Sequence, residues 1–69
     1  MPRITNTLRR LRFEAGEMTQ KDLAAKVGVT RQTIVALEAG SYAPSLDLAF
    51  RLARAFDRPL EAVFQYHDD

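Results

Sequence analysis

Apolar positions along the chain recur every three to four residues, the spacing of helices with one buried face. Leu8, Leu11 and Ala15 mark a first helix from Thr5 or Asn6 to about Glu14, and Gly16 ends it. Thr19 reads as the N-cap of a second helix, with Asp22 three residues on in the capping-box position. Its stripe is Leu23, Ala24 and Val27, and Gly28 stands where a left-handed residue must close it. Thr30 caps a third helix that runs to Ala39 with Ile34 and Leu37 inward, and Gly40 follows. Pro44 disfavours helix at Ala43, so residues 41–44 form a loop. Ser45 caps a fourth helix with Leu48, Ala49, Leu52, Ala53 and Phe56 on one face. Asp57 and Arg58 make a turn, and Pro59 begins a short fifth helix over residues 60–64. Five short helices with short connections predict a compact all-α fold, one domain over residues 1–69. Arg3 and Ile4, and residues 63–66, suit extended chain. A two-stranded antiparallel ribbon between the two ends is expected.

Composition narrows the chemistry. With 69 residues the core is thin, and chains of this size often need a staple or a partner. Cysteine is absent, which excludes disulfides and thiolate metal sites. His67 is the only histidine. No metal, no cofactor and no enzymatic activity are therefore expected, and no effector pocket is evident. Apolar runs fall far short of a membrane span, and residues 1–4 have no apolar signal region. The expected location is cytoplasmic, with no membrane partner. Net charge is only +1, but its distribution is uneven: residues 1–12 carry +4 and residues 13–69 carry −3. One basic end can face a polyanion. Arg9 and Arg10 either add to that field or form a solvated basic face.

The window from Gln20 to Ala39 carries the functional signal. Two helices that meet at a steep angle need a small residue at the contact, which Ala24 supplies, and a turn residue tolerant of positive φ, which is Gly28. Val29, Ile34 and Leu37 lock the second helix of the pair on the first. This is a helix-turn-helix over about residues 19–39, although the same spacing also fits a plain helical corner. The outward residues favour the former. Arg31 and Gln32 can pair bidentately with guanine and adenine edges. Gln20 opens the second helix, and the hydroxyls of Thr30 and Thr33 with the free amides at helix starts suit phosphate oxygens. Val35 and Ala36 lie on the outward face one turn beyond Gln32, where apolar groups match a thymine methyl.

The stretch from Met18 through Ile34, with Leu37-Glu38-Ala39-Gly40, resembles the DNA-binding domain of the Cro/CI phage repressors and their bacterial (XRE) relatives. Residues 41–46, 48–50 and 60–66 are similar to a subgroup of very short regulators of that family. The resemblance implies a lambda-repressor-like fold and a double-stranded DNA partner. It gives Gln20 a phosphate contact and a bracing role, and puts Arg31, Gln32, Val35 and Ala36 in the groove with Thr33 near the backbone. It implies a buried ion pair between Arg12 and Glu38, a ribbon joining the chain ends, and a homodimer. Lys21, Ser41 and Tyr42 are expected around the duplex. Two departures stand out: Glu17 lengthens the turn after the first helix, and Val35 and Ala36 are apolar where many relatives have polar readers. Phe50, Val63, Phe64 and Tyr66 exceed the needs of a small core and are expected at a dimer interface built on residues 59–66, whereas Leu60 is expected to complete the core. The resulting expectation is a sequence-specific transcriptional regulator, a repressor, with helix 30–39 in the major groove of a near-palindromic operator. The alternative is an antitoxin-like or adaptor module that binds another protein.

Overall fold

The computed structural model describes residues 3–68. The elements run β1 (Arg3–Asn6), α1 (Leu8–Glu14), α2 (Gln20–Val27), α3 (Arg31–Glu38), α4 (Leu46–Ala55), α5 (Leu60–Val63) and β2 (Phe64–His67). The five helices surround one apolar cluster of Leu8, Leu11, Leu23, Ala24, Val27, Ile34, Leu37, Leu48, Leu52, Ala53 and Val63. Among the described residues no polar or charged residue is buried in it.

Local chemistry explains the helix starts. Thr19 accepts from the Asp22 amide at 2.9 Å, and Asp22 accepts from the Thr19 amide at 3.3 Å, a complete capping box. Thr30 and Ser45 cap α3 and α4 through their hydroxyl groups. Gly28 closes α2 with φ +77°, a conformation that an L side chain adopts only with strain. Arg51 of α4 donates from Nη1 to the Val27 carbonyl, so a free carbonyl at the end of α2 is satisfied by a neighbouring helix.

The ribbon begins at Arg3 as expected but runs on to Asn6, and its second strand spans Phe64–His67. Thr5 and Asn6 belong to β1, not to the first helix, and α1 begins at Leu8. They pair with Gln65 and Phe64 in an antiparallel register that also sets Ile4 against Tyr66 and Arg3 against His67. Asn6 then joins two helices. Its Oδ1 accepts from the Leu8 amide at 3.2 Å, and its Nδ2 donates to the Leu37 carbonyl at 2.8 Å. The N-terminal strand is thus tied to the C-terminal turn of α3.

Several side chains depart from expectation. Ala15 follows α1 and is exposed. The fifth helix stops at Val63, because Phe64 is already extended. Val63, expected at a subunit contact, is fully buried in the monomer core and has no surface to offer a partner. Leu60, expected to complete that core, is half-buried and lines a surface groove instead. The exchange has a simple cause. On a single helical turn the inward position is set by where β2 leaves, and that exit aims Val63 at the core.

Candidate nucleic-acid interface

The first turn of α3 carries the two residues expected to meet base edges. Arg31 and Gln32 are both exposed. Val35 is exposed one turn along, and Ala36 is half-buried beside it. Ile34 and Leu37 point the other way and are fully or almost fully buried, so burial of one face fixes the orientation of the other. Thr30 and Thr33 are already engaged with each other. The Thr33 amide donates to the Thr30 hydroxyl at 3.3 Å, and the two hydroxyl oxygens are 3.1 Å apart.

Beneath this face lies a network that sets the position of α3. Arg12 of α1 grips Glu38 of α3 with two charge-assisted bonds, Nε to Oε2 at 2.7 Å and Nη2 to Oε1 at 2.9 Å. Its Nη1 donates to the Met18 carbonyl at 2.9 Å. Gln20, the first residue of α2, donates from Nε2 to Glu38 Oε1 at 3.1 Å. The two charged side chains keep only 12% and 11% of their exposure. Two helices therefore converge on one carboxylate of a third, and Arg12 ties the turn after α1 to the same network. Gln20 braces α3 by a direct bond, while Lys21 beside it is exposed.

At the far end of α3, Gly40 takes φ +76° and lets the chain fold back. The Ser41 amide donates to the Ala36 carbonyl at 2.9 Å. Ser41 and Tyr42 follow as exposed side chains. The exposed face of α3 thus has Gln20 and Lys21 at one end of the motif and Ser41 and Tyr42 after its last turn.

An open cleft beside α3 brings in residues whose role the sequence leaves open. Arg9 lines it together with Gln20, Lys21 and Arg31. Phe13, not singled out in the sequence, is 54% exposed and has the Arg9 guanidinium 5.9 Å from its ring centroid. Their i, i+4 spacing was the available signal. Arg10 instead pairs with Glu14 at 3.7 Å.

The C-terminal side presents a different surface. Tyr66 and Phe50 are exposed, and Phe64 is half-buried against the core. Ile4 and Leu46 are also exposed, and neither is marked by the helical pattern as a surface contact. Ile4, Leu46, Leu60, Phe64 and Tyr66 line one apolar groove. No cluster of three or more His, Cys, Asp or Glu side chains forms among the described residues. No helix there is long and apolar enough to cross a membrane.

Comparisons with known proteins agree with this geometry. A family model described as helix-turn-helix matches residues 8–63. An HTH-type transcriptional regulator of Methanocaldococcus jannaschii is 56% identical over 52 residues, covering 75% of this chain and 79% of its own. One from Methanothermobacter thermautotrophicus is 54% identical over 63 residues, 90% of each chain. Another from Bacillus subtilis is 42% identical over 64 residues, covering 93% and 96%. A crystal structure of a candidate DNA-binding protein from Bacteroides fragilis superimposes with a TM-score of 0.77 at 21% identity, over 90% of this chain and 98% of that one. That last likeness is one of fold.

Proposed function

Because the chain belongs to the helix-turn-helix family of Cro/CI-type regulators, we propose that it is a sequence-specific repressor that binds a near-palindromic operator as a homodimer. The relatives are HTH-type transcriptional regulators, and DNA-binding regulation of transcription is the common ground. The observation that carries the reading is the first turn of α3, with Arg31 and Gln32 exposed above a three-helix brace at Glu38.

Recognition then divides into two tasks. Arg31 and Gln32 read base edges, and Val35 and Ala36 meet thymine methyl groups. Lys21, Gln20, Thr30, Thr33, Ser41 and Tyr42 contact the backbone and fix the register. The mutual bond between Thr30 and Thr33 occupies one of their two hydroxyl protons and leaves the other for a phosphate oxygen, so Lys21 and backbone amides supply more of the attraction. Residues 1–69 act as one DNA-binding unit, and bound at a promoter it represses by occupying the site.

Gln32→Ala tests base readout. Its loss should cost about 1–3 kcal/mol of discrimination between the selected operator and a random duplex. Binding to the random duplex should barely change. Equal losses on both would remove Gln32 from the reading role. The operator itself comes from in-vitro selection of bound duplexes, and selected sequences without inverted symmetry would count against a dimer.

The dimer reading rests on the exposed apolar groove. One α3 helix reads too few base pairs for a unique site, and a twofold pair places two such helices one turn of duplex apart, ~34 Å. Phe50, Phe64 and Tyr66 contribute to the contact, with Ile4 and Leu46 added and Val63 removed. Tyr66→Glu should leave the fold intact, since Tyr66 is 66% exposed. It should weaken self-association about tenfold or more by placing a charge in an apolar contact. Sedimentation velocity measures this. A wild-type chain that stays monomeric at high concentration, and binds a different protein stoichiometrically, would favour the adaptor role instead.

A further inference from the structure

The cleft between α1 and the helix-turn-helix holds an arrangement that base readout does not use. Arg9 is exposed, and among the described residues no carboxylate pairs with it. Its neighbour Arg10 is held by Glu14. Arg9 instead lies over the Phe13 ring one helical turn on. Phe13 in turn leaves over half its surface in water, on a helix whose Leu8 and Leu11 are buried. An exposed aromatic that stacks a guanidinium restricts a long side chain that would otherwise sample many rotamers.

The direction of that restriction is informative. Arg9 and Phe13 line the same cleft as Lys21 and Arg31, the exposed cations at the start of α2 and α3. The two carboxylates in that lining are Glu38, already neutralised by Arg12, and Glu17. Arg9 and Phe13 also line the adjoining cleft that reaches Val35 on the outward face of α3. The cleft therefore opens between α1 and the starts of α2 and α3, beside the exposed Arg31.

We propose that Arg9, propped on the Phe13 ring, is a further contact to a DNA backbone phosphate, extending the footprint of the motif onto α1, with Phe13 as its positioning residue. The inference rests on the DNA-binding reading above. Arg9 adds attraction without sequence information, so it should strengthen cognate and random binding by the same factor. Phe13 acts only through Arg9, so removing the ring should matter only while Arg9 is present.

The test uses a fluorescein-labelled mixed-sequence duplex of about 20 base pairs, long enough for two half-sites. Its affinity is measured by anisotropy between about 50 and 200 mM salt for the full chain and its variants. Arg9→Ala should reduce the magnitude of the slope of log affinity against log salt by about 0.9 per protomer. Phe13→Ala should weaken binding several-fold, Phe13→Tyr should retain wild-type affinity, and Arg9→Ala/Phe13→Ala should bind no worse than Arg9→Ala alone. Circular dichroism melts confirm that the exposed substitutions keep the fold. An unchanged salt slope for Arg9→Ala, or additive losses in the double variant, overturns this inference alone. A wild-type chain that retains no duplex at the lowest salt overturns the DNA-binding reading as well.

Discussion

Glu38→Ala is expected to lower the free energy of unfolding by about 3–5 kcal/mol, since it leaves the Arg12 guanidinium largely buried with no counter-charge. A chain of this size has on the order of 3–10 kcal/mol in total, so the variant should be partly or wholly unfolded near body temperature. The loss is large because one carboxylate serves two donors, Arg12 and Gln20, that sit on different helices. Replacing both charges, as in Arg12→Met/Glu38→Leu, should recover much of the stability, because the cost lies in the stranded charge and not in the absence of a pair. The double variant should still bind duplex more weakly, for α3 would then rest on α1 without a directional bond. Urea denaturation followed by far-UV circular dichroism measures both. An unchanged midpoint for Glu38→Ala would show that the ion pair contributes nothing.

Ile34→Ala carries the second large effect, about 2–5 kcal/mol, from lost burial and the cavity left behind. Ile34 is fully buried, in the cluster that also contains Leu23 and Ala24 of α2. Ala24 keeps that helix pair close, so the surrounding backbone has little room to collapse into a void. Ile34→Val should cost only about 0.5–1.5 kcal/mol. The neighbouring Val35→Ala provides the contrast: on the outward face it should change stability within about 0.5 kcal/mol. A loss below 1 kcal/mol for Ile34→Ala, read from the same urea transitions at an unchanged slope, would contradict the packing account (about 2 kcal/mol is the least expected). Ile34 and Val35 are adjacent in sequence, and only their direction from the helix axis separates the two outcomes.

The same contrast shows where the residues alone were sufficient. Helix starts at Thr19, Thr30 and Ser45 depend on hydroxyl groups that bond amides three positions away, so their chemistry is local. The inward stripes of α2, α3 and α4 follow from period alone, and the buried residues of those helices match them. Elsewhere the partner lies far along the chain. Thr5 and Asn6 look helical beside Leu8, yet they pair with Gln65 and Phe64. Val63 and Leu60 are both apolar and three residues apart, and nothing local says which one faces the core. The exposure of Ile4, Leu46 and Phe13 is likewise invisible to a pattern that assumes apolar means buried.

Sequence by itself determined the number and order of the helices, the steep turn at Gly28, and which side chains α3 presents outward, because caps, glycine and helical period act within a few residues. The family resemblance implied the Arg12–Glu38 pair, a brace from Gln20 and a terminal ribbon; the tertiary structure decided how they meet, with the bonds of Arg12 and Gln20 on one carboxylate, the tie from Asn6 to the end of α3, and the Arg9–Phe13 edge beside the outward face of α3. Those contacts join residues far apart in the chain or depend on which face a neighbouring helix leaves uncovered. Their geometry exists only once the apolar faces have closed on one another.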